Sequence, residues 1–533
     1  MSNELNTALL PNWLARCAEN YPQRLALQCG ATAWSFLELE RQVTLLARQL
    51  ATIGVQEECR VALLAANGPA YVVCVHALTR LGAILVPLNT RLTQDELRWQ
   101  MSDVRASVLL SDTGYSGIAT ALGKALPALA RATIAMVPLS VNTILLIEAD
   151  DDGCEEKDQE AITQSPRVIP ATDIPLRTLI DLQATQVIMY TSGTTGQPKG
   201  VIITFGMQWW NAIGSALNLG HRDDDCWLAC LPLFHIGGLS MLMKSVIYGI
   251  RVIVQEKFEP EQVNKAIYEC AVTIVSVVAV MLQRMLAALD TDANTKPYPT
   301  TLRCILLGGG PVPYALLEEC ARRGVPVVQT YGLTESCSQA VTLAPADALR
   351  KLGSVGRPLL PVQLCIMHDD QPVQSGEAGI LYLKGPTITP GYADRLEETE
   401  RTMQHGWLST GDMGYLDEEG YLYILDRRTD LIISGGENIY PAEIEAVLLA
   451  HPDVEEAGVC GQSDAQWGQV PIAFVRIRPG SNTQSAILLA YVRERLARYK
   501  LPRAIYIVEQ LPRNAAGKLV RRELLRHARQ KNP

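Results

Sequence analysis

The sequence predicts an α/β chain, with a large N-terminal region of doubly wound sheet followed by a small α+β unit. Three observations predict it. Amphipathic helices alternate with short apolar strands, glycine-rich loops follow several of those strands, and the texture changes after Tyr421. At 533 residues the chain is too long for one core, since domains run to roughly 100–200 residues. An apolar share of 48% and a charged share of 19% are those of a globular protein, which excludes wholesale disorder and collagen-like repeats.

The elements follow in order. Residues 36–53 read as a helix, 60–65 as a strand, 70–81 as a helix and 83–88 as a strand ending at Pro87. Such alternation points to βαβ units and a largely parallel sheet. Residues 113–175 hold weak apolar patches and the acidic run 148–160, which reads as a solvated loop. Periodicity resumes at Ala184 with the strand QVIMY, the loop TSGTTGQPKG, the strand GVIIT and a helix over 206–219. LRCILLGGG is a strand entering a glycine triplet, 313–323 a helix and PVVQTYG another strand. Doubly wound sheets bind ligands at the carboxyl ends of their strands, where these glycine loops fall. Beyond Tyr421 come the strand YLYILDRR, the strand and loop LIISGGENIYP, a helix opened by Pro441, strands at 470–477 and 504–508, and a helix over 487–498. The boundary is expected near 427–430, giving an N-terminal region 1–428 and a C-terminal unit 429–533.

Composition also narrows function. Lysine and arginine total 47 against 56 acidic residues, and a net charge of −9 leaves no basic face for nucleic acid. The N-terminal stretch has no charged segment followed by an apolar core, so no secretory signal is expected. The longest apolar run, around 275–282, falls short of the roughly 18–20 residues of a membrane span. Thirteen scattered cysteines suit reduced thiols, and a cytoplasmic location is expected. Cys226 and Cys230 form the one close pair, read as two buried small side chains rather than metal ligands.

The most informative stretch is YTSGTTGQPKG over 190–200. Its glycines, Gly193 and Gly196 among them, let a backbone approach a bulky anion. The hydroxyls of Thr191, Ser192, Thr194 and Thr195 add donors, and Lys199 adds a cation. The Walker spacing is not met, because Gly193 and Gly196 are too close and Pro198 intervenes.

In order after this loop come the glycine triplet Gly308, Gly309 and Gly310, then YGLTES, TGD, DRRTDLIISGGENIYP and PRNAAGKLVRREL. With these motifs the chain resembles the adenylate-forming acyl-CoA synthetases over nearly its whole length. The resemblance implies a large N-terminal domain of doubly wound sheets with a β-subdomain, and a small mobile α+β C-terminal domain. It implies ATP and Mg²⁺, with coenzyme A as co-substrate. The loop would hold the β- and γ-phosphates, the triplet would admit adenine and Tyr331 would stack on it. Thr334 would meet the α-phosphate, Glu335 would bind Mg²⁺, and Asp412 with Arg427 would take the ribose hydroxyls. Lys518 matches the adenylation lysine that bridges the substrate carboxylate and the α-phosphate. Ser434, Gly435, Gly436 and Glu437 would line the pantetheine channel after a rotation about Thr429, a position where many relatives carry Asp or Lys.

The acid pocket is expected in residues 223–249. Ser240 and Lys244 are four apart and share a helix face in an apolar segment, where a lysine must either snorkel to water or meet an anion. This segment resembles that of the 2-succinylbenzoate–CoA ligases of menaquinone and phylloquinone synthesis. Lys244 then suits the aromatic carboxylate that is not activated. His235 would line the pocket near the reacting carboxylate as a catalytic residue, or serve as a neutral wall, with Gly309 beside it. An aryl- or medium-chain acyl-CoA synthetase is the alternative. The expected partners are small-molecule substrates, with no nucleic acid and no membrane span, and a homo-oligomer is left open.

Overall fold

The helix Phe36–Thr52 starts in a capping box in which Ser35 and Glu38 satisfy each other's backbone amides, and the helix Gln94–Asp103 starts the same way from Thr93 and Glu96. Pro69 opens the helix Pro69–Leu81, and Gly82 closes it in the left-handed conformation. The computed structural model describes residues 9–138, 142–148, 168–191, 198–291, 296–309, 312, 314–368, 371–426, 432–439, 441–512, 521 and 523–525.

Among the described residues two sheets dominate. The first runs in the order Lys199–Thr204, Thr185–Thr191, Ile84–Pro87, Arg60–Leu64, Val108–Asp112, Ala130–Pro138 and Asn142–Glu148, parallel inside and antiparallel at both edges. The second is parallel from Leu25–Cys29 through Arg251–Val254, Cys226–Ala229, Ile274–Val277 and Cys304–Leu307 to Val327–Tyr331. One core joins the two, with Val61, Met189, Trp227 and Leu242 in the same buried cluster. Cys226 and Cys230 are buried in a second cluster behind the second sheet. A smaller antiparallel sheet around Gly379–Lys384 and Trp407–Leu416 takes in the strand Leu422–Asp426. A last sheet, built on the pair Val454–Asp464 and Gly468–Ile477, carries the helices Pro441–Leu449 and Ser485–Arg493. Among the described residues no helix is long and apolar enough to cross a membrane.

Two expectations are corrected, and one strand was missed. Residues 113–138 and 142–148 hold the helix Ser116–Ala125 and two strands that extend the first sheet, where Ile134, Ile144 and Leu146 are buried. The acidic run beyond Glu148 lies outside the described residues. The helix expected over 487–498 stops at Arg493, and a 3₁₀ turn at Arg498–Lys500 redirects the chain. The strand Val454–Asp464 was not expected at all; pairing along Gly468–Ile477 forms it despite two glutamates and two glycines. The proposed boundary at 428 falls outside the described residues.

Candidate active site

Strand ends build the site. The strand Cys226–Ala229 leads to Leu231 and the PLFH turn, Cys304–Leu307 leads to Gly308 and Gly309, and Val327–Tyr331 leads to the YGLTES loop. These loops wall a cavity of about 270 Å³ with Ile84–Pro87 and its following Asn89 opposite. Gly332 is forced by close approach, since a Cβ there would stand 1.4 Å from the Ser338 carbonyl oxygen.

The cavity brings together Thr191, His235, Ser240, Lys244, Gly308, Gly309, Thr334, Glu335 and Asp412 from the expected residues, and adds Gly436 and Glu437 from the C-terminal region. Asp412 accepts a 2.6 Å hydrogen bond from the Tyr331 hydroxyl, and the Tyr392 hydroxyl donates to Glu335 Oε1 at 3.1 Å. Lys199 is not on the wall. It is buried with its Nζ 2.5 Å from Glu398 Oε1 and above the Tyr392 ring. Ser192, Gly193, Thr194, Thr195, Gly196, Gly310, Arg427, Thr429 and Lys518 lie outside the described residues.

Lys244 does not snorkel. It sits on the helix Ile236–Tyr248 with only 2% of the residue exposed, beside Ser240 on the same face. Its Nζ donates to Gln339 Oε1 at 2.7 Å and lies 5.4 Å from the centre of the Trp227 ring. No carboxylate pairs with it among the described residues. Burial pulls its pKa down to about 8, against a small opposing influence of Cys337. A buried cation whose acceptor is a neutral amide oxygen leaves its charge uncompensated by the described protein groups.

Glu437 stands at the foot of a two-residue hairpin in which Gly435 and Gly436 take φ of 56° and 86°, the left-handed pair such a turn requires. Ser434 and Gly435 stay off the cavity wall, and Gly435 is covered by Trp467. One Glu437 oxygen accepts from Arg91 at 2.5 Å, and the other lies 3.2 Å from His235 Nε2. Burial pushes this carboxyl up, but His235, Arg91 and Lys500 outweigh it and hold it below the ordinary glutamate value.

Sequence reasoning missed Arg91, Asn89, Tyr499, Lys500 and Gln339. Asn89 Nδ2 donates to the Tyr499 hydroxyl at 3.2 Å, and Lys500 lies at the cavity edge. A basic residue before Pro502, just after the buried Leu496 and Ala497, was the available signal for Lys500. Gln339 had none.

Among the described residues no cluster of three or more His, Cys, Asp or Glu forms a metal site. Glu335 supplies one carboxylate at the cavity wall, which suits an ion carried mainly by phosphates and water, and Thr334 adds a hydroxyl beside it.

Comparison with known proteins names the class. The AMP-binding enzyme family matches residues 14–393, and the AMP-binding enzyme C-terminal domain matches residues 443–518. The first covers more than half of the chain, which therefore belongs to the AMP-binding enzyme family. A 2-succinylbenzoate–CoA ligase of Geobacillus kaustophilus (strain HTA426) is 49% identical over 517 residues, 97% of this chain and 98% of the relative. Among solved structures, a double mutant of the o-succinylbenzoate CoA synthetase of Bacillus subtilis bound with its product analogue OSB-NCoA aligns with a TM-score of 0.85 at 42% identity, over 97% of this chain and 98% of that one. The same synthetase in complex with its acyl-adenylate intermediate aligns over the same shares at 42% identity with a TM-score of 0.69.

Proposed function

We propose that this chain is an ATP-dependent 2-succinylbenzoate–CoA ligase acting in the cytoplasm in menaquinone or phylloquinone synthesis. It would adenylate the aliphatic carboxylate and pass the acyl group to coenzyme A, releasing AMP and pyrophosphate. The observation that carries the substrate is Lys244, a buried cation whose one acceptor among the described residues is the neutral Gln339. A substrate with a second, unreacted carboxylate completes that pair; a fatty-acid chain cannot.

Each residue has a task in this scheme. Lys244 and Ser240 hold the aromatic end, while His235 and Gly309 flank the reacting end. Gly308 would admit adenine and Asp412 with Arg427 would take the ribose; Tyr331, buried off the cavity wall behind Asp412, would have to turn outward to stack on the base. Thr191 and the rest of the glycine-rich loop receive the phosphates, and Lys199 exchanges Glu398 for them. Thr334 would meet the α-phosphate, and Glu335 would hold the magnesium ion that accompanies the nucleotide, which would neutralise phosphate charge. Lys518 lies between two anions in the first step and lowers their repulsion. No base is needed there, because a carboxylate is already ionised at neutral pH.

Thioester formation uses a second arrangement, in which the C-terminal unit, 429–533, turns about Thr429 and brings the Ser434–Glu437 hairpin to the cavity. The presence of Gly436 and Glu437 on the wall supports reading the described arrangement as this second one, and so does the higher TM-score to the CoA-linked complex. Arg91 and His235 fix Glu437 there.

The test is product analysis by mass spectrometry, with purified protein given MgATP, coenzyme A and equal amounts of 2-succinylbenzoate, benzoate, 4-coumarate and octanoate. 2-Succinylbenzoyl-CoA is the expected dominant product. Dominance by octanoyl- or coumaroyl-CoA would overturn the role given to Lys244 and retain the adenylation chemistry.

A further inference from the structure

The helix Gln94–Asp103 uses only part of its capping glutamate. Glu96 Oε2 accepts from both the amide and the hydroxyl of Thr93 at 2.9 Å, which completes the capping box. The other oxygen, Oε1, reaches across 404 positions of sequence to accept a 2.8 Å hydrogen bond from Lys500 Nζ. Lys500 also donates to Glu443 Oε1 at 2.6 Å, and Glu443 sits on the helix that follows the GGENIYP hairpin. All three side chains are withdrawn from water, at 12%, 5% and 7% exposed for Glu96, Lys500 and Glu443.

These partners are not equivalent. Lys500 and Glu443 lie on the same C-terminal unit and stay paired wherever that unit turns. Glu96 lies on the N-terminal region, so its bond exists only while the hairpin faces the cavity. We propose that Glu96 is a positioning residue for thioester formation: its bond to Lys500 latches the C-terminal unit in the arrangement that puts Glu437 against His235. Charge-assisted bonds between buried groups are the strong ones, and this one is made in one arrangement and broken in the other. A ligand-independent latch of this kind sets how long the unit stays closed for coenzyme A and leaves acid activation untouched. The proposal rests on the two-arrangement scheme above.

Glu96→Gln separates the two jobs of the residue. Glutamine keeps the capping box through its carbonyl oxygen and turns an amide donor toward the lysine donor. Adenylation is followed by 2-succinylbenzoate-dependent exchange of labelled pyrophosphate into ATP, and thioester formation by adding coenzyme A to separately prepared acyl-adenylate. The exchange rate is expected to stay within about twofold, while thioester formation falls about tenfold. Thr93→Ala, which weakens the cap and leaves the lysine bond, should produce no such split. Equal losses in both half-reactions, or an unchanged thioester rate, would overturn the latch. Absence of any 2-succinylbenzoate-dependent exchange in the unaltered protein would instead overturn the substrate assignment.

Discussion

Two buried lysines in one chain are held in opposite ways. Lys244 meets a neutral amide oxygen and an aromatic face, and burial lowers its pKa to about 8. Lys500 meets two carboxylates; burial pulls its pKa down, but Glu443, Tyr499 and Glu96 outweigh that and leave it above the ordinary lysine value. Burial is common to both, so the difference lies in the counter-charge. Lys500 is neutralised by the protein and serves architecture. On the proposed reading Lys244 receives its anion from the substrate, and keeping it charged at neutral pH costs the free protein on the order of 3 kcal/mol.

Removing each lysine should therefore act on different observables. Lys244→Met is expected to lower kcat/KM for 2-succinylbenzoate by about 10²–10³-fold, with little effect on monocarboxylic acids, while raising the unfolding temperature of the free protein. Steady-state kinetics and calorimetry on one preparation check both, and loss of stability would break the comparison. Lys500→Met leaves Glu96 and Glu443 facing each other without a cation, and should destabilise the protein by about 3–5 kcal/mol in chemical denaturation.

Gln339→Glu tests the comparison from the other side, by giving Lys244 an internal carboxylate of the kind Lys500 has. The expected outcome is about 10-fold to 100-fold weaker binding of 2-succinylbenzoate by titration calorimetry, with a gain in stability. The smallest effect is in pH. Lys244 of the free protein loses its proton above about pH 8, so KM for 2-succinylbenzoate should rise about tenfold per pH unit from there, with benzoate unaffected. The linked stability change has a definite sign. Between about pH 8 and the ordinary lysine value the unfolded chain holds the proton and the folded one does not, so stability from this group rises with pH. Lys500 contributes no slope in that window, because its raised pKa keeps it charged in both states.

Reading from the sequence succeeded where a local pattern sufficed. Glycine loops after strands pointed to Gly308 and Gly309, which line the cavity because doubly wound sheets bind ligands at strand ends, while Thr334 was reached only through the family resemblance. Spacing put Ser240 and Lys244 on one buried helix face. It failed where pairing at a distance decides. The strand Val454–Asp464 carries an ambiguous pattern until its partner strand is present, and the apolar period running on to Leu496 hid the end of the helix at Arg493. Gln339 beneath Lys244, and Glu96 opposite Lys500, are meetings that no periodicity encodes.

The glycine hairpin also governs retention. Gly436 and Glu437 form part of the cavity wall, and both Glu437 oxygens are engaged on the protein side of it. On the proposed scheme, an acyl-adenylate carried into this arrangement would face Gly436 and Glu437 over part of the wall, which would narrow its contact with bulk water. Each adenylate lost by escape would waste one ATP, so the sharp turn that Gly435 and Gly436 allow would also spare nucleotide.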